Sequence, residues 1–138
     1  MTKLIAGRET GFGGGVLIFA RATGRFLWIK RSTYGDNPGV WCCPGGGIED
    51  FETIDQGVHR ECQEEIGYHE PLQLQHMHRD VQDNGFIFHN HIASIEQEFE
   101  PVLNEEHTDY QWSTHAPTPL HPRLALSMRA WSDRNAAV

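Results

Sequence analysis

Short apolar runs separated by turn residues make up the first third of the chain. Gly15 to Ala20 (GVLIFA) is one such run, RATGR (Arg21 to Arg25) supplies a turn, and FLWIKRS (Phe26 to Ser32) resumes the pattern, which predicts a β-hairpin. TYGDNPG (Thr33 to Gly39) is turn-rich loop. VWCC (Val40 to Cys43) reads as a brief buried strand that runs into Pro44 and a loop of three glycines, Gly45, Gly46 and Gly47. From Thr53 the period changes. Ile54, Val58, Cys62 and Ile66 recur every fourth residue and draw one apolar stripe on a helix of about four turns. Thr53 with Gln56 three residues on forms a capping box at its start, and Gly67 stops it. Two further runs, Leu72 to Val81 and Phe86 to Ile95, flank QDNG, whose Asn84-Gly85 step predicts a tight antiparallel hairpin. A last strand is expected near Asp109 to Thr114. Leu124, Met128 and Trp131 recur at helical spacing between Pro122 and Asn135 and predict a closing amphipathic helix.

Strands on both sides of a central helix, with a helix closing the chain, give an α/β or α+β class built on a mixed sheet. At 138 residues and 38% hydrophobic, the chain is expected to form a single domain over 1–138 with no second module. The formal net charge of −8 argues against long nucleic acid and against an anionic membrane surface, both of which call for a basic face. No stretch approaches the roughly 20 apolar residues of a membrane span, and the amino end lacks a signal-like apolar run. The expectation is a soluble, cytoplasmic protein. Cys42, Cys43 and Cys62 fit neither a disulfide framework nor zinc spacing, so reduced thiols are expected.

That negative charge is concentrated where chemistry is expected. On a helix Glu61 and Glu65 stack one turn apart, with Glu64 on the adjacent edge of the same face and Arg60 beside them. An ordinary solvated face explains two glutamates well, but three at these spacings repel one another. Hard oxygen ligands behind a glycine-rich segment suit Mg²⁺ or Mn²⁺, with phosphate oxygens completing the shell. Glycines allow the backbone to approach the bound ion or phosphate closely.

At these residues the sequence resembles the Nudix hydrolases. The family signature GX5EX7REUXEEXGU, with U an aliphatic residue, is met by Gly46, Glu52, Arg60, Glu61, Glu64, Glu65 and Gly67, all at the required spacing. Cys62 and Tyr68 occupy the aliphatic positions, and Phe51 stands where members usually carry glycine. Upstream, LWIKRS and GVWCCPGG resemble the strand and the W-x-x-PGG stretch common before this box; downstream, NEEHTDYQW and PTPLHP resemble the E-H-x-x-Y-x-W stretch and its proline-rich loop. The resemblance covers Phe12 to Arg123. It implies an α/β/α sandwich with a mixed β-sheet, and Mg²⁺-dependent hydrolysis of a nucleoside diphosphate linked to another group. Glu61, Glu64 and Glu65 would be metal ligands together with the Gly45 carbonyl. Glu106 or a helix glutamate would orient or deprotonate water, Arg60 would hold the glutamates, and Glu52 would pair with Arg60 or reach metal through water. Arg31 would contact a phosphate.

Other features carry less. His76 and His78, and His89 and His91, form two H-x-H pairs that regular strands would each present on one face, a weak signal for a transition metal. Trp41 or Tyr34 is a candidate to stack on a nucleobase, whereas Trp112 and Trp131 read as core. Expected partners are a small nucleotide, first of all a (d)NTP, and no membrane; homodimerisation is left open. Nucleotide sugars, dinucleoside polyphosphates and a non-catalytic nucleotide-sensing module are the alternatives.

Overall fold

A computed structural model describes residues 11–136; the amino end on which the leader expectation rests lies outside the described residues. Seven strands of the described residues form one mixed sheet: β1 (Phe12–Ala20), β2 (Arg25–Arg31), β3 (Trp41–Cys42), β4 (Gly45–Gly47), β5 (Gln75–Val81), β6 (Ile87–Ile95) and β7 (His107–Ser113). Among the described residues two helices, α1 (Ile54–Ile66) and α2 (Pro122–Ala136), pack with the sheet. The expected mixed α/β class is observed. The order β3-β2-β1-β6-β5 places β1 at the centre, parallel to β6 and antiparallel to β2, while β7 pairs with the side of β2.

Both hairpins and both helices form where the apolar periods place them. Thr53 caps α1, its hydroxyl accepting from the Gln56 N–H at 3.0 Å while the side-chain Oε1 of Gln56 accepts from the Thr53 N–H at 2.9 Å. Gly67 ends the helix in the left-handed region, φ 66. The predicted stripe is buried: Val58 and Ile66 are inaccessible and Cys62 is 1% exposed. On the opposite end of the chain, Leu124 is buried, and Met128 and Trp131 pack against the core.

Two local features differ from the sequence expectation, and a third explains one of the departures from the family signature. The three glycines after Pro44 are strand rather than loop: β4 pairs antiparallel with the amino half of β1, Gly47 against Gly13, Gly46 against Gly14, Gly45 against Gly15. Glycine faces glycine, and a Cβ on Gly45 would stand 2.6 Å from the Gly14 carbonyl oxygen, so only bare backbone fits at this spacing. The second difference lies in β5, where an irregularity between His76 and His78 shifts the register. His76 then pairs with His91 and His78 with Asn90, consecutive residues of β6 whose side chains point to opposite faces. The pair His76 and His78 is therefore split across the sheet, and the expectation of a shared face is corrected. Phe51, finally, takes φ 70 with its ring fully exposed, which accounts for the glycine usual at that position.

Candidate active site

The acidic face of α1 lies against β4. Gly46 meets it directly: a Cβ there would sit 2.6 Å from Glu61 Oε2, so the absent side chain is the space in which the Glu61 carboxylate rests. The Gly45 N–H donates to Glu65 Oε1 at 3.1 Å. Both carboxyls are largely buried, at 9% and 2% exposure for Glu61 and Glu65, and they share a hydrogen bond. Burial, above all, raises both above the ordinary carboxylate range; for Glu65 the adjacent Glu61 and the charge of Glu106 act in the same direction. Glu64, one step around the helix, is exposed.

Arg60 organises this cluster. Its Nε donates to Glu52 Oε2 at 2.6 Å and its Nη2 to Glu52 Oε1 at 3.1 Å, a two-pronged contact that fixes the guanidinium plane. Nη2 also reaches the Gly47 carbonyl at 2.9 Å, tying α1 to β4. Nη1 is left to face Glu61 Oε2 at 3.1 Å and Glu64 Oε1 at 3.3 Å. Glu52 is itself held by the Glu49 N–H at 2.8 Å, and the Arg60 contact pulls its pKa down. Of the two readings open for Glu52, this geometry shows the pairing with Arg60.

On the far side of β4 lies a cleft of about 500 Å³, lined by Gly45, Gly46, Arg31, Phe88, Asn90 and Arg123 among others. Arg31, whose Nε donates to the Asp36 carbonyl at 2.9 Å, stands on one wall. The other wall was not foreseen: Arg123 at the start of α2 makes two bonds to buried Asp80, one of them 2.8 Å from Nε to Oδ2. An Asp and an Arg far apart in sequence give no local signal of such a pair. Trp41 is not among the residues lining this cleft; it is buried at 8% exposure, its N–H donating to the Pro119 carbonyl and its carbonyl accepting from the His121 N–H. Tyr34 is exposed and its hydroxyl donates to the Glu105 carbonyl at 3.0 Å. Glu106 is exposed on the segment that enters β7, where its carbonyl accepts from the Ser32 N–H at 2.9 Å.

No group of three or more His, Cys, Asp or Glu side chains among the described residues is arranged to close on a metal ion as it stands. The helix glutamates nonetheless fit a hard cation by donor type: two buried carboxyls share a hydrogen bond against their mutual repulsion, and a divalent ion is what would let both ionise. The histidines do not: His76 touches the rings of His89 and His91 at 5.7 Å between centroids, but His91 Nδ1 is already bonded to the Gly15 carbonyl.

Comparison with known proteins agrees with this arrangement. The sequence model of the NUDIX domain matches residues 11–134. The chain belongs to the Nudix hydrolase family. Among characterised relatives, a nucleoside triphosphatase NudI of Klebsiella pneumoniae is 30% identical over 104 residues, covering 64% of this chain and 72% of that protein. An RNA pyrophosphohydrolase of Teredinibacter turnerae is 41% identical over 51 residues, 37% of this chain, and the match spans only 28% of that relative's length. In fold, the chain is similar to the Nudix hydrolase RenU of M. smegmatis, with a TM-score of 0.75 at 24% identity over 91% of this chain and 86% of the other. The described residues contain no helix long and apolar enough to cross a membrane.

Proposed function

We propose that this Nudix domain hydrolyses a phosphoanhydride bond of a small nucleoside polyphosphate, most simply a (d)NTP, with Mg²⁺ or Mn²⁺ held by Glu61, Glu64, Glu65 and the Gly45 carbonyl. The observation that carries it is the Arg60 clamp: one guanidinium fixes Glu52 and Gly47 while facing Glu61 and Glu64, beside a cleft with Arg31 on its wall. The cation would supply charge neutralisation of the phosphates and acidify the attacking water. The residues of the chain do the rest. Arg31 binds a phosphate oxygen at the cleft wall, and Gly45 and Gly46 let the phosphates approach the backbone without side-chain obstruction. Arg60 keeps the carboxylates in register, and Glu106 or an exposed helix glutamate accepts the proton of the water as it attacks in line. Resemblance to relatives called nucleoside triphosphatase and RNA pyrophosphohydrolase supports the reaction class, and the acidic surface favours a small nucleotide over a long RNA.

The test is release of phosphate and pyrophosphate from nucleoside triphosphates, nucleotide sugars and dinucleoside polyphosphates, with Mg²⁺, with Mn²⁺ and with chelator. Cation-dependent turnover that disappears in Glu64→Gln, with an unchanged melting curve, is the expected result. Full turnover in Glu64→Gln would overturn the assignment, and tight nucleotide binding without turnover would point instead to a sensing module.

A further inference from the structure

Arg123, in the first turn of α2, leaves part of its hydrogen-bonding capacity unused. Its Nε donates to Asp80 Oδ2 at 2.8 Å and its Nη2 donates to Asp80 Oδ1, so one edge of the guanidinium lies against a carboxylate that is 2% exposed. A guanidinium carries five N–H groups in one rigid plane. The Asp80 edge takes one from Nε and one from Nη2. The outer edge, where the second Nη2 N–H runs beside one from Nη1, makes no hydrogen bond among the described residues. The Arg123 side chain is 44% exposed and the residue lines the cleft beside Gly45 and Gly46, so with the Asp80 edge turned inward the free edge is the exposed one.

As a staple between β5 and α2 this ion pair offers little, because desolvating a buried carboxylate offsets most of the attraction and an apolar contact would serve as well. What Asp80 supplies is direction, since two hydrogen bonds to one carboxylate fix the guanidinium plane. The charge around it suits an anion. Arg31 lines the same cleft, and the only acid among the described residues lining it is Asp36, in a chain of formal net charge −8. His121 Nδ1 accepts from the Arg123 N–H at 3.1 Å, so this ring is neutral and adds no third cation. Burial first, then the charges of Arg31 and Arg123, lower its pKa, which places both guanidiniums within reach of one side chain.

We infer that Arg123, oriented by Asp80, is a further substrate-binding residue whose free edge takes two oxygens of one phosphoryl group in the polyphosphate chain of the nucleotide. The inference rests on the nucleoside polyphosphate reading of the site and deepens it. Two parallel N–H donors match two phosphate oxygens in spacing and in charge. A triphosphate can give one phosphoryl group to the arginines while the other two meet the acidic face of α1 and its cation; the diphosphate of a nucleotide sugar has none to spare. Arg123 is thus a specificity residue for chain length, and Asp80 is a positioning residue that acts through it.

Calorimetric binding to the full chain of a nucleoside and its mono-, di- and triphosphate, for adenosine and for guanosine, at fixed ionic strength and with chelator, needs neither turnover nor metal. The triphosphate is expected to bind at least about ten-fold more tightly than the monophosphate. Arg123→Lys keeps a cation for buried Asp80, and so the fold, but an ammonium has no second edge to present; the triphosphate-to-monophosphate ratio should fall about ten-fold while nucleoside affinity holds. Asp80→Asn removes a negative charge from the cleft wall. Charge alone would then tighten triphosphate binding, whereas a guanidinium that has lost its mount should bind it less well, a loss that a purely structural pair would not give. If Asp80→Asn does not fold, the wild-type panel and Arg123→Lys decide the matter. An unchanged ratio in Arg123→Lys, tighter triphosphate binding in folded Asp80→Asn, or a loss shared equally by the bare nucleosides, as a base contact would give, would overturn the inference. Hydrolysis on adding Mg²⁺ with an unchanged ratio in Arg123→Lys would overturn only this inference, and the expected ratios without hydrolysis only the catalytic reading.

Discussion

Gly46→Ala separates the chemistry of the site from its stability. The φ of Gly46 is accessible to any residue, so the added methyl acts by contact alone. Its carbon would lie 2.6 Å from Glu61 Oε2, 2.8 Å from Cδ and 3.0 Å from Oε1, whereas ordinary contact begins at 3.4 Å. The carboxylate must therefore withdraw by about 0.8 Å, which breaks its 3.1 Å bond to Arg60 Nη1. Because the obstructing atoms are the end of a flexible side chain, relief is cheap: about 1 kcal/mol of stability, or a few degrees of melting temperature. Misplacement on this scale at a catalytic group costs about 10²-fold in turnover. Gly45→Ala is the contrast, since its Cβ meets the Gly14 carbonyl oxygen at 2.6 Å and backbone cannot step aside. It should lower the melting temperature far more. Steady-state hydrolysis of the preferred nucleotide with Mg²⁺, beside thermal melts of both variants, reads the two effects separately. Wild-type turnover in Gly46→Ala would refute the claim that this glycine exists to seat Glu61.

Other expectations follow from the same geometry. Arg60→Lys keeps the charge but cannot make the two-pronged contact to Glu52 together with the Gly47 carbonyl, so kcat should fall at least about ten-fold with a folded protein by circular dichroism. Thr53→Ala removes the hydroxyl of the capping box and should cost about 1 kcal/mol in urea denaturation, with little change in kcat. His107 is buried with its Nδ1 unpartnered among the described residues, and burial, then the charge of Arg31, lowers its pKa from 6.5 to about 4. The unfolded chain therefore binds more protons than the fold between these values: the contribution is complete above pH 6.5 and is lost as the pH falls through 4. Its size is roughly 3 kcal/mol. His107→Gln should flatten the acid limb of a stability-against-pH curve, and an unchanged limb would contradict the burial argument.

How much of this was legible in the sequence divides along one physical line. Apolar period and local turn chemistry act over a few residues, so the α1 stripe, its Thr53 and Gly67 caps, the Asn84-Gly85 hairpin and the closing helix could be read directly. The crowding of Glu61, Glu64 and Glu65 with Arg60 was also local, a consequence of helical spacing alone. The pairing of glycines in β4 with glycines in β1, by contrast, exists only once residues 30 to 34 positions apart are brought into register, so three glycines that read as loop became strand. The shifted register in β5 put His78 with Asn90 instead of with His76, and nothing in an alternating sequence announces a bulge. Trp41 reads as a platform because it precedes the box, yet packing against the Pro119–Leu120 segment places it in the core. The cleft wall of Arg123 and Asp80 and the chain from Asn90 through Ser127 to His78 join three separate elements. Sequence determined which groups would face one another within a helix or a turn, where covalent spacing fixes distance. Only the tertiary structure decided which strands and helices share a wall, because that depends on side-chain volume and register summed over the whole sheet.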